Sequence, residues 1–147
     1  MNFEYREMNH DDLKKCTRLF QEAFLKEPWK ETWTYEKAYQ RLEGIMDSKS
    51  SIGFVITDNH HMIGMLCGRI MPYLDDYELW VEEVCISDSY QGQGLGSQLL
   101  NYTKQELINK NVNRMVLNTT RGYLSDVFYL KNGFQEKDMI VCMSCEF

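Results

Sequence analysis

Trp80-Val81-Glu82-Glu83-Val84-Cys85-Ile86, followed three residues later by Tyr90-Gln91-Gly92-Gln93-Gly94-Leu95-Gly96-Ser97, is the stretch that decides the fold. The first run is rich in β-branched and aromatic residues and short enough for a buried strand. Beyond the glycines, Leu99, Leu100, Thr103, Leu107 and Ile108 recur with helical spacing. A strand that turns through glycines into a helix leaves several backbone N–H groups unpaired at the positive end of the helix dipole, which makes a site for phosphate. A side chain at Gly92, Gly94 or Gly96 would keep an oxygen from the amides, although Gly96, one turn before Leu100, also suits a close approach of the helix to the sheet. Two other phosphate motifs fail. No Gly-Lys-Ser/Thr ending is present, and only one residue separates the second and third glycines where a dinucleotide fingerprint has two.

Gln91-x-x-Gly94-x-Gly96 resembles the Gln/Arg-x-x-Gly-x-Gly/Ala signature of the GNAT superfamily of N-acetyltransferases. Phe128-Tyr129-x-x-x-Gly133-Phe134 resembles that family's later segment, in the expected order. The resemblance implies one α/β (α+β) domain over residues 1–147, with a mixed, mostly antiparallel central sheet of six to seven strands and about four helices on both faces. It implies acetyl-CoA as cosubstrate, its pyrophosphate on Gln91, Gly92, Gln93, Gly94, Leu95, Gly96 and Ser97. The pantetheine arm would lie along the strand edge at Val84, Cys85 and Ile86. Tyr129 matches the tyrosine that gives a proton to the departing sulfur. There are departures: Gln91 stands where many members carry arginine, Gly122 replaces a frequent asparagine whose bond Asn118 could supply, and Thr119 to Tyr123 has no counterpart.

A chain of 147 residues is long enough to bury one core without metal or disulfide help. Its five cysteines, odd in number and scattered through apolar patterns, indicate buried free thiols in a reducing compartment, hence a cytoplasmic protein. Cys142-Met143-Ser144-Cys145 has the gap of a metal pair but no second pair, and His60-His61 reads as a turn, so no metal is expected. No signal-peptide pattern or run of apolar residues approaching the ~18 of a membrane span is present. A net charge of −6 speaks against nucleic acid, whose binding rests on Lys and Arg, and mildly favours cationic partners.

Along the chain, Phe3 to Met8 alternates as a strand, and Asn9 then caps a helix with a buried stripe of Leu13, Cys16, Leu19, Phe20, Ala23 and Phe24. After a break containing Pro28, Trp29 and Trp33, a second helix spans about Tyr35 to Met46 on Ala38, Leu42 and Ile45. Ile52 to Thr57 and Met62 to Met71 read as a hairpin through Asp58-Asn59-His60-His61, and Arg114 to Asn118 as a further strand. Ser125 to Asn132 reads as a short helix ended by Gly133, with one or two closing strands from Phe134 through Met143.

Acetyl transfer to an amine needs the ammonium deprotonated, and with a lysine-like pKa near ~10.4 only about one molecule in 2500 is so at pH 7. Glu82 and Glu83 are unexpected in an apolar strand. Alternation puts Glu82 with Val84 and Ile86, and Glu83 with Val81 and Cys85. In polyamine-acetylating relatives the matching pair serves the amine, which implies Glu82 as base through water and Glu83 as electrostatic partner. By the same resemblance Trp29 and Trp33 line the acceptor pocket, while the Tyr73, Asp75 and Asp76 loop could greet a cation. Direct transfer is expected, because Cys85 lies inside a strand. The expected function is acetyl transfer from acetyl-CoA to a primary amine of a small cationic, polyamine-like or aminoglycoside-like molecule. The alternatives are acetylation of a protein N-terminus or lysine, or a coenzyme-binding module without catalysis. A homodimer is compatible with the apolar C-terminal region.

Overall fold

The computed structural model describes residues 1–147. In chain order they form β1 (Phe3–Glu7), α1 (Leu13–Leu25), α2 (Tyr35–Met46), β2 (Ser51–Asp58) and β3 (His61–Tyr73), then β4 (Asp76–Ile86), α3 (Leu95–Asn109), β5 (Arg114–Val116) and α4 (Leu124–Lys131). The strands make one sheet in the order β1-β2-β3-β4-β5, antiparallel except for the parallel pair β4 and β5.

Local chemistry explains the boundaries. Asp11 N–H donates to Asn9 Oδ1 at 2.9 Å and Asn9 N–H donates to Asp12 Oδ2 at 2.9 Å, a capping box ahead of α1. Thr34 caps α2 by accepting from Lys37 N–H at 3.2 Å. The β2–β3 hairpin turns at Asn59 and His60, both with positive φ (48° and 71°), the geometry that matches strand twist and that Asn tolerates.

Two apolar layers hold the sheet. On one face Leu13, Cys16, Leu19 and Phe20 of α1 and Ala38, Leu42 and Ile45 of α2 pack on Val55, Met65, Cys67 and Cys85. On the other, Leu95, Leu99, Leu100 and Leu107 of α3 pack on Phe54, Ile56, Leu66, Leu79 and Val81. Ile108, expected in that stripe, is exposed, because one residue past Leu107 the helix has already rotated off the sheet.

The sheet has five strands rather than six to seven, since no strand follows α4. Met139, Ile140, Val141 and Met143 are 70–93% exposed. Their pattern fits a pleated surface, but a strand exists only against a partner, and β5, an edge strand of the sheet, is three residues long. For the same reason Cys142 and Cys145 are exposed, against the expectation of buried thiols that Cys16, Cys67 and Cys85 meet.

One irregularity in the sheet shapes the middle of β4. Cys67 pairs with Glu83 but Gly68 pairs with Val81, so Glu82 is an extra residue bulged out of β4. The strands approach so closely there that a Cβ on Gly68 would lie 1.9 Å from the Trp80 carbonyl oxygen. The bulge resets the alternation: Val81 joins the α3 layer and Cys85 the opposite one. Glu83 therefore does not share the face of Val81, as strict alternation predicts. It shares that of Cys85 and turns to Arg41 of α2.

Candidate active site

β4 and β5 part company at the bulge. Their last parallel pair is Trp80 with Val116, whereas β4 stays bonded to β3 as far as Ile86. From Val81 to Ile86 the β5-facing edge of β4 is thus unpaired, which leaves open the edge proposed for an amide-bearing arm at Val84, Cys85 and Ile86. The closed end of the wedge is pinned by Glu78, which accepts from Arg114 Nε at 2.9 Å and Trp80 Nε1 at 3.0 Å.

β4 leads into the glycine turn. Gly92 and Gly94 both take φ 77°, the left-handed region that favours glycine. Gly94 is the N-cap of α3, no side chain caps that helix, and its first bond runs from Gln98 N–H to Gly94 C=O. The amides of Leu95, Gly96 and Ser97 consequently have no intrahelical acceptor and sit at the positive end of the dipole. A Cβ on Gly92 would meet nothing within 4 Å, so the concavity in front of the amides is clear on that side. Gly96 has a different reason to be glycine: its Cβ would lie 3.0 Å from Phe128 Cζ. The neighbour that most needs the missing side chain is α4, while Ile86 of β4 stands at ordinary contact distance, 3.9 Å.

The turn is braced from below. Gln91 Nε2 donates to Ile86 O at 3.2 Å and to Asp88 Oδ1 at 3.1 Å, and Asp88 also meets Lys26 Nζ at 2.9 Å. Tyr90 donates its hydroxyl to Asp58 Oδ2 at 2.8 Å, tying the turn to the end of β2. Gln91 Nε2 is therefore spent on the loop itself, and Gln93 and Asn118 are exposed beside the opening.

The two carboxylates of the bulge differ sharply. Glu83 is 8% exposed and accepts from Arg41 Nε at 2.6 Å, while Glu82 is a third exposed and meets Arg69 Nη2 only at 3.5 Å. Burial raises the Glu83 carboxyl above the ordinary range, and Arg41 pulls it partly back. Tyr129, on the inner side of α4, stacks edge-on with Phe128 and Phe134. Burial, then the neighbouring Cys85 and Glu83, push its phenol up to about 12, so at neutral pH it holds its proton. Cys85 is buried and its thiol is pushed well above the ordinary value by burial, as befits an inert group.

The structure brings some of the expected acceptor residues to this place and not others. Trp33 packs edge-on against Phe20 with ring centroids 5.1 Å apart, and the Arg41 guanidinium lies 5.9 Å from its ring centre, so it borders Glu83. A cleft of about 230 Å³ follows the same loop, lined by Glu31, Thr32, Trp33, Thr34 and Lys37. Trp29 lies farther out, 40% exposed against Phe24. Tyr73, Asp75 and Asp76 form the tip of the β3–β4 hairpin, where Arg114 sits 5.0 Å from the Tyr73 ring. Asp76 precedes Glu82 by six residues of extended strand, about 20 Å at ~3.3 Å per residue, so the hairpin tip is at the end of β4 away from the glycine turn. Arg41 and Arg69 were not read from the sequence. The available signal was that two carboxylates in a covered strand need counter-charges, and that Arg41 flanks the buried stripe of α2, three residues after Ala38.

Among the residues described, no group of three or more His, Cys, Asp or Glu could hold a metal ion, and no helix is long and apolar enough to cross a membrane. No curated protein matches in sequence. Solved structures of similar shape include a possible acetyltransferase from Clostridium difficile 630 (18% identity, TM-score 0.82, covering 100% of this chain and 99% of that one). An aminoglycoside acetyltransferase from an uncultured soil metagenomic sample, solved with sisomicin, has 15% identity and a TM-score of 0.77 over 99% of this chain and 96% of its own. AAC(6')-Iy, solved with the bisubstrate analogue CoA-S-monomethyl-acetylneamine, has 17% identity and a TM-score of 0.76 over the whole of both chains. At these identities the likeness is one of fold. The model of the acetyltransferase (GNAT) family, however, matches residues 13–134, which include both glycine turn and Tyr129. The chain belongs to the acetyltransferase (GNAT) family.

Proposed function

We propose that this acetyltransferase moves an acetyl group from acetyl-CoA directly to a primary amine of a small cationic molecule. The observation that carries the reading is the wedge between β4 and β5, which has the uncapped amides of α3 beyond its open end and Glu82 and Glu83 where the strands part, with the Tyr129 phenol close to Glu83 and Cys85. Residues 92–97 would hold the diphosphate, and the free edge at Val84, Cys85 and Ile86 the pantetheine amides, with Asn118 on the opposite side. Glu82, partly exposed and weakly paired, takes the amine proton through water, and Glu83 supplies negative field behind it. Tyr129 returns a proton to the leaving thiolate, for which a phenol that stays protonated at neutral pH is suited. Trp33 is the wall nearest the carboxylates, and Trp29 and the hairpin tip lie outside this core.

The aminoglycoside acetyltransferases among the similar structures favour a cationic amine. The test is release of free thiol when the protein is mixed with acetyl-CoA and a panel of polyamines, aminoglycosides and peptides. Turnover on small cationic amines is expected. No release with any primary amine, although the coenzyme binds, refutes the reading, and turnover on peptides alone replaces it with protein acetylation. Five free thiols suit a reducing cytoplasm. The exposed apolar side chains at 139–143 suit pairing of two copies, which sedimentation would show as a dimer at micromolar concentration.

A further inference from the structure

Glu83 is nearly fully buried, and a buried carboxylate persists as an anion only with a counter-charge and hydrogen bonds. Its one ion partner is Arg41, reaching from α2 with Nε at 2.6 Å from Oε1. The same guanidinium lies 5.9 Å from the Trp33 ring centre. Trp33 is itself held on two sides: its Nε1 donates to Glu31 Oε1 at 3.1 Å, and its carbonyl accepts from Gln21 Nε2 at 3.0 Å. One side chain thus touches both the bulge of β4 and the aromatic wall of the α1–α2 loop. The second arginine makes no such lock, since Arg69 meets Glu82 only at 3.5 Å.

Resting on the acetyl-transfer reading, we infer that Arg41 is a positioning residue that locks Glu83 and Trp33 into one wall of the acceptor pocket, leaving Glu82 as the carboxylate free to meet the amine. Around Glu83, the charged groups are Arg41 from α2, Glu82 on its own strand and Glu31 from the α1–α2 loop. The remaining titratable neighbours are the thiols of Cys67 on β3 and Cys85 on β4, and the phenol of Tyr129 on α4. Arg41 is the only cation among them. Without it, burial and two like charges would drive Glu83 to take up a proton or swing outward, and Trp33 would lose the cation over its ring.

The test uses the full-length protein with Arg41→Gln and Arg41→Lys. In Arg41→Gln, the ascending limb of kcat/KM for the amine should move up by about one pH unit or more, and kcat/KM at pH 7 should fall about tenfold, with KM for acetyl-CoA unchanged. Arg41→Lys should restore most of the limb, because an ammonium keeps the counter-charge. A part played only in folding would lower the melting temperature and leave the limb where it was. A readout without turnover is the 13C titration of the Glu83 carboxyl, assigned by its loss in Glu83→Gln. Its midpoint should rise in Arg41→Gln and likewise in Arg41→Met, an apolar side chain that keeps the packing of α2 and carries the test should Arg41→Gln not fold. An unmoved limb in a folded Arg41→Gln, or an unmoved Glu83 midpoint in these variants, overturns the inference. Absence of acetyl transfer in the wild type overturns the proposed function instead, and the titration still decides whether Arg41 locks Glu83.

Discussion

Gly68→Ala puts the bulge to its hardest test. The added Cβ would lie 1.9 Å from the Trp80 carbonyl oxygen, 2.8 Å from its carbon and 3.0 Å from Val81 Cα, all backbone atoms that no rotamer change can remove. Ordinary contact begins at 3.4 Å, so β3 and β4 must part locally by about 1.5 Å. That takes the ladder bonds on either side of Glu82 out of reach in a part of the sheet covered on both faces. With ~1–3 kcal/mol for each buried group left unpaired, two such losses cost about 2–6 kcal/mol. Against a total stability of ~5–15 kcal/mol this is a severe change. Gly64→Ala is the control, because its Cβ meets only Ile86 Cδ1 at 2.7 Å and side-chain carbons of Ile56, which can shift for about 1–3 kcal/mol. Urea unfolding followed by circular dichroism measures both. Any folded Gly68→Ala should also lose about a hundredfold in kcat, the effect of misplacing reacting groups by about an ångström. A Gly68→Ala protein as stable as the wild type, or less perturbed than Gly64→Ala, would refute the claim that the two strands are forced together beneath Glu82.

Tyr129→Phe and Glu82→Gln should each lower kcat by about 10²- to 10⁴-fold while leaving coenzyme affinity, measured by calorimetry, unchanged; unaltered turnover would remove them from the chemistry. Asp12 tests the capping box. Although burial opposes it, hydrogen bonds from Arg6 and from Asn9 N–H hold its carboxyl below the ordinary value, so its contribution to stability is present above the unfolded-state pKa and is lost as pH falls through the folded one. The urea midpoints of wild type and Asp12→Asn should therefore differ above about pH 5 and converge toward about pH 2, and a gap that persists in acid would contradict the pairing. With a thiol reagent, Cys142 and Cys145 should react at once and Cys16, Cys67 and Cys85 only on unfolding, since burial also pushes Cys16 up to about 12; rapid reaction of all five would refute the packing of the α1–α2 layer.

Local signals carried the site's backbone. Positive φ at Gly92 and Gly94, the uncapped start of α3 and the Asn9 cap all depend on residues within a few positions of one another, so glycine spacing and capping chemistry were enough to place them. Tyr129 was legible because its segment has a recognisable pattern. Tyr73, Asp75 and Asp76 lie at the hairpin tip, at the opposite end of β4 from the glycine turn, and charge near a motif in sequence says nothing of which end of a long strand it occupies.

What the sequence determined by itself was the succession of periods, the phosphate-ready turn and the family likeness, because each is written in neighbouring residues. Tertiary structure alone decided three things. The register slip at Glu82 depends on how β3 meets β4, the partner of Glu83 lies 42 residues away on α2, and the fate of Met139 to Met143 turns on whether an edge is there to receive it. Strand pairing, counter-charge and burial are relations between distant segments, and a linear pattern of side chains records what each segment can do but not what it will meet.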